Sequence, residues 1–176
     1  MSAVDAFREQ LRQVHGAGPD VEVRPGPPAM AVPGFVTLEA TVHGAPVRGW
    51  ARDDGAVVLF LRQNFGLLLD AARFADEPPG LSARELTERL VWSHGPAYEL
   101  VESVPAGELG LEHAIATPVA RRRSGDGTVE LRFTVRERED GAPVTIMHYR
   151  LRGGPGAPFK VDLWQLAPEP DTSWDE

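Results

Sequence analysis

Apolar residues at positions 4, 7, 11 and 14 recur at helical spacing, so residues 2–15 are predicted as an amphipathic helix with Val4, Phe7, Leu11 and Val14 on one stripe. Ser2 supplies the N-cap, Asp5 stands three residues on, and Gly16 stops the helix. The Pro- and Gly-rich run 19–33 excludes a helix and leaves room only for a short strand at 21–24. After it the period of the pattern changes to two. Residues 35–43, 47–53 and 56–62 read as a three-stranded meander, with turns at His43-Gly44-Ala45-Pro46 and at Asp54-Gly55. Val57, Val58, Leu59, Phe60 and Leu61 are apolar on both faces of the last strand, which predicts a central position for it.

Two helices are expected next. Asn64 heads a segment carrying Leu67, Leu68, Leu69, Ala71, Ala72 and Phe74, closed by Glu77-Pro78-Pro79-Gly80. Ser82 and Glu85 form an S-x-x-E capping box ahead of Leu86, Leu90 and Val91, and Gly95-Pro96 ends that helix. Residues 98–110 fit a short strand with a loop. The remainder reads as four strands, 112–123, 128–138, 143–152 and 159–166, separated by Ser124-Gly125-Asp126-Gly127, Asp140-Gly141 and Gly153-Gly154-Pro155-Gly156. The predicted fold is a single α+β domain over 1–166. It has a mainly antiparallel sheet of about seven strands in two meanders (35–62 and 112–166), an N-terminal helix, and two central helices packed on one face. Residues 167–176 hold four acids and no base, and read as an acidic flexible tail.

Turn lengths then set a register. A two-residue turn at 140–141 pairs Arg136 with Thr145, Phe133 with His148 and Arg132 with Tyr149. The turn at 124–127 pairs Ala120 with Leu131. Pairing Arg152 with Phe159 sets Tyr149 opposite Asp162 and Met147 opposite Trp164. One face, with Leu131, Phe133, Val135, Ile146, His148, Phe159 and Leu163, is the expected core face. The other carries Arg132, Met147, Tyr149 and Trp164 among charges of alternating sign, as cross-strand pairs prefer.

Composition narrows the chemistry. The chain has 176 residues, 42% of them apolar, and a net charge of −8, which excludes global disorder. It has no cysteine, so disulfides, thiolate metal sites and a cysteine nucleophile are impossible. Seventeen of the 18 basic residues are Arg; the one Lys is Lys160. A pI near 5.1 argues against nucleic-acid binding and against anionic membrane surfaces. No stretch approaches the roughly 20 apolar residues of a membrane span, and the first residues carry acids instead of a hydrophobic leader, so a cytoplasmic location is expected.

The chain has no G-x-S-x-G, H-E-x-x-H, G-x-G-x-x-G or Walker loop. Ser93 and His94 are adjacent, a poor geometry for a nucleophile–base pair, and mark a helix end. His15, His43 and His113 lack metal-ligand spacing, so neither a metal nor a cofactor is expected. Two function classes follow. The first is a non-enzymatic adaptor, chaperone-like or inhibitor protein. It meets a protein partner or a second copy of itself through the face of Met147, Tyr149, Trp164 and Arg132, since aromatics and Met beside Arg mark interface centres. In its first half, the order helix, three-strand meander, helix is similar to that of small acidic secretion chaperones, a resemblance of topology alone. The second class is a carrier or enzyme for a small apolar ligand, with His148 and Arg150 pointing into a pocket beside Phe133.

Overall fold

A computed structural model describes residues 1–59, 65–71, 82–123, 125–137 and 145–166. The fold is α+β, with three helices and antiparallel sheets of four, five and two strands. Helix α1 (Ala3–His15) is capped as its sequence demands. The Ser2 side chain accepts from the Asp5 N–H, and Gly16 closes the end in the left-handed region at φ 64°.

Strands β1 (Val23–Pro25), β2 (Val36–Val42), β3 (Ala45–Ala51) and β4 (Val57–Leu59) form the first sheet in that spatial order. The β2–β3 turn is shorter than expected. His43 and Gly44 both have positive φ (52° and 83°), which makes a two-residue hairpin, so Ala45 and Pro46 enter the strand. Pairing sets Leu38, Gly49 and Leu59 on one face, where Phe7 and Leu11 of α1 bury them. Gly49 allows this close approach: a Cβ there would stand 2.5 Å from the Val58 carbonyl oxygen and 3.1 Å from the Phe7 ring. Strand β4 lies at the end of the sheet and not at its centre. It is apolar on both sides because Leu59 faces α1 while Val58 joins the main core.

That main core lies between the sheets. Helix α2 (Phe65–Ala71) and helix α3 (Ala83–Trp92) bring Phe65, Leu68, Leu69, Leu86 and Leu90 into it, beside Trp50 of β3. The capping box of α3 is present as predicted, Ser82 accepting from the Glu85 N–H and Glu85 from the Ser82 N–H. The expected start of α2 at Asn64, its continuation past Ala71 and the turn at 77–80 lie outside the described residues. So do the turn at 140–141 and the tail at 167–176.

The second sheet runs β11 (Ala157–Leu166), β10 (Thr145–Gly154), β9 (Val129–Glu137), then β5 (Tyr98–Leu100), and β8 (Val119–Arg122) also pairs with β9. The expected strand 112–123 is thus broken: β7 (Ile115–Ala116) pairs instead with β6 (Ser103–Val104), and a cis Thr117–Pro118 bond separates it from β8. The β6–β7 arm is tied to the sheet edge, where the Val101 N–H donates to the Thr134 carbonyl and the Thr117 hydroxyl to the Val101 carbonyl.

The Ala120–Leu131 pair is found as expected. On either side of β10, however, the expected register is off by one residue. Glu137 pairs with Thr145, Thr134 with His148 and Phe133 with Tyr149. Across the other edge, His148 pairs with Trp164 and Arg150 with Asp162. An odd number of residues (138–144) separates Glu137 from Thr145, which a two-residue turn closing an unbroken ladder does not allow. On the β11 side a bulge sets Pro158 and Phe159 opposite Gly153. The Phe159 ring occupies the space over Gly153, where a Cβ would lie 2.6 Å from it. A slip of one residue inverts a strand, so β10 is turned over relative to the expectation while β9 and β11 are not.

Candidate functional site

The inversion of β10 redistributes the predicted site residues. Met147 and Tyr149 do not lie on an open face. Both are fully buried, and the Tyr149 ring stacks on Phe133 with centroids 4.7 Å apart. Phe133 is likewise buried in the core, on the opposite face of the sheet from His148. His148 and Arg150 turn instead to the outer face, which already held Arg132 and Trp164. Residues expected at two separate places, a pocket and an interface, therefore meet at one.

The meeting point is a recess of about 340 Å³ lined by Leu111, Ile115, Arg132, His148, Arg150 and Trp164. Its floor is the outer face of the second sheet. Its apolar wall is the chain around the β6–β7 arm, which carries Leu111 and Ile115. Sequence reasoning misses this wall, because the sequence reads Ile115 as part of a longer strand paired with β9 and gives Leu111, just ahead of that strand, no periodic pattern.

Arg132 and Arg150 are direct cross-strand partners on the floor. Like charges in that relation repel, and each is offset by one carboxylate. Arg150 donates from Nε and Nη2 to Asp162 Oδ2 at 3.0 and 2.7 Å, and its guanidinium lies 4.8 Å from the centre of the Trp164 ring. Arg152 shares that oxygen at 3.2 Å. These hydrogen bonds, with that from Arg150 foremost, hold the Asp162 carboxyl below its ordinary range. Arg132 Nε is 2.7 Å from Glu130 Oε1 but misaligned for a hydrogen bond, so this buried N–H is left unsatisfied.

His148 is only 4% exposed, so little more than one edge of its ring reaches the recess. Its Nδ1 is 2.9 Å from the Thr134 hydroxyl, and its ring centre is 5.8 Å from that of Trp164. Burial above all, then the charges of Arg132 and Arg150, push its pKa down to about 4, so the ring is neutral at pH 7. Among the described residues no group hydrogen-bonds Nε2. The imidazole thus offers the recess a neutral ring nitrogen, a lone pair or an N–H according to which nitrogen faces Thr134 with its proton.

His94 shows what a structural histidine looks like in the same molecule. It too is buried, but its Nδ1 is 3.2 Å from the Leu90 carbonyl oxygen and its Nε2 is 2.9 Å from the Tyr149 hydroxyl. The expected helix end at Ser93-His94 is correct. The link to Tyr149 joins residues 55 apart in sequence, and no local signal announces it.

Among the described residues no cluster of three or more potential metal ligands is present, and no helix is long and apolar enough to cross a membrane. Comparison of the chain with protein-family models, with curated proteins and with solved structures finds no match.

Proposed function

We propose that this chain binds a small anionic ligand with a flat apolar body, held in the recess over His148. The observation that carries the reading is the direct pairing of Arg132 with Arg150 beside a neutral His148 and the Trp164 ring. Two guanidinium groups forced together on a sheet cost stability, and an oxyanion between them offsets the repulsion through charge-assisted hydrogen bonds. Trp164, Leu111 and Ile115 suit a ring or short apolar chain. The volume, near the lower end for ligand pockets, favours a compact molecule such as an aryl carboxylate.

Binding is favoured over catalysis. Thr134, the hydroxyl next to His148, is 1% exposed and too enclosed to attack a bound molecule. A base with a pKa near 4 also has little driving force to accept a proton. One observation still favours the protein-interaction reading: Trp164 remains 38% exposed on the outer face of β11, at the edge of the sheet.

Native against denaturing mass spectrometry, followed by titration with benzoate and naphthoate monitored by Trp emission, tests the proposal. Extra mass lost on denaturation, or saturable quenching that weakens about tenfold or more in Arg150→Gln and Trp164→Ala, is the expected result. A bare monomer mass with no saturable quenching overturns it. A native dimer that Trp164→Ala dissociates moves the assignment to self-association.

A further inference from the structure

A second cationic feature lies on the same outer face, in the row of residues next to the recess. The β8–β9 hairpin and the β10–β11 turn meet there. A Cβ on Gly127 would stand 3.2 Å from the Pro155 ring, so the two turns hold each other in place. Between them runs a groove of about 360 Å³ lined by Arg121, Arg122, Arg123, Thr128, Glu130 and Arg152. Arg121 and Arg152 are the two cross-strand neighbours of Glu130, one on each side, and so straddle the middle strand.

The carboxylates nearby neutralise this group only in part. Glu130 is drawn along its own strand to Arg132, at 2.7 Å. Asp162 serves Arg150 at 2.7 Å before Arg152 at 3.2 Å. Asp126 touches Arg123 only at 3.6 Å, on an exposed turn. Arg121 has no ion pair among the described residues, although it stands directly beside Glu130. Lys160, the chain's one lysine, extends the same row beyond Arg152. This is a strong local concentration of positive charge in an acidic protein.

We propose that this groove is an oxyanion site for a phosphoryl group, distinct from the recess although Glu130 and Asp162 each also serve an arginine of the recess. Guanidinium forks arriving from two strands, with a threonine between, match a tetrahedral anion with several acceptor oxygens better than a single planar carboxylate. The ligand is a small phosphorylated compound or a free phosphate, not a nucleic acid. A long polyanion leaving the groove would run onto the rest of the chain, which carries −12 once these four arginines are taken from the net −8.

Calorimetric titration of the full chain with pyrophosphate, at ionic strength held constant with chloride, tests the site. One saturable site per chain is expected. Its affinity should fall about tenfold or more in Arg121→Gln/Arg152→Gln. Trp164→Ala, which alters only the recess, should leave it unchanged. Arg152→Lys should fall between, keeping the charge and losing the fork. Both arginines are partly or fully exposed, and an unchanged circular dichroism spectrum and urea midpoint confirm that the variants fold. Inorganic phosphate and a phosphomonoester, titrated in parallel, show whether the natural occupant is the free anion or an esterified one. Heat with no saturation, or an affinity unmoved in the double variant, overturns the proposal. So does an oligonucleotide that displaces pyrophosphate with an affinity rising with its length.

Discussion

In the four-stranded sheet the apolar side chains serve two cores; in the five-stranded sheet they serve one. Leu38 and Leu59 face α1, while Trp50 and Val58 face the helices between the sheets. The five-stranded sheet buries Leu131, Phe133, Met147, Tyr149 and Leu151 on its inner face alone. Its outer face carries Arg132, His148, Arg150 and Trp164, and among the described residues the arm around β6 and β7 leans over it. A sheet closed on both sides by apolar packing leaves no room for chemistry. The half-covered sheet keeps guanidinium groups where water is thinned but not absent, and there both candidate sites lie.

Met147 tells the two faces of the second sheet apart most sharply. Placing a carboxylate on the inner face, in Met147→Glu, buries an unpaired charge and should cost about 5 kcal/mol, enough to unfold most domains of this size. A folded, equally stable Met147→Glu protein in urea denaturation would put Met147 on the outer face after all. On the doubly covered sheet, Phe7→Ala removes the ring that seats α1 and should cost about 3–5 kcal/mol by the same measurement. A loss under about 1 kcal/mol would mean that α1 is not part of that sheet's packing.

A smaller effect separates the outer face by pH. The His148 pKa is about 4 in the fold against an ordinary 6.5, so the unfolded chain takes up the proton first as pH falls. Stability from this group is fully present above pH 6.5 and is lost between pH 6.5 and about 4, by at most about 3 kcal/mol. His148→Asn should flatten that part of the stability–pH curve; an unchanged slope would show that burial of the ring is not what the fold loses in acid. The smallest expected change is in Trp164→Ala. Its side chain is part-exposed at the sheet edge, so stability should move by less than about 1 kcal/mol, while quenching by an aryl carboxylate is lost. A large destabilisation would make Trp164 a packing residue and sever it from the recess.

Much of this was legible in the chain. The caps at Ser2 and Ser82 are local, as is the alternation in β2 and β3, because each depends on residues within a few positions. The two faces of β9 and β11 also follow from alternation. Turn length predicts the wrong face for β10. The better signal lay in the strand itself: Met147, Tyr149 and Leu151 are apolar at every second position, while His148, Arg150 and Arg152 between them are polar. That alternation would have put His148, Arg150, Arg132 and Trp164 on one face.

By itself, then, the sequence determined the helices and most of the strands. It also settled which residues share a side of each strand, since backbone geometry alternates side chains at short range. Only the tertiary structure decided how the strands register against each other across the Gly153 bulge. Only there do residues 111 and 115 become a wall over residue 148, and Tyr149 a partner for His94. Those contacts join segments dozens of residues apart, and their energies depend on space left by other packed groups. No window of sequence contains that space.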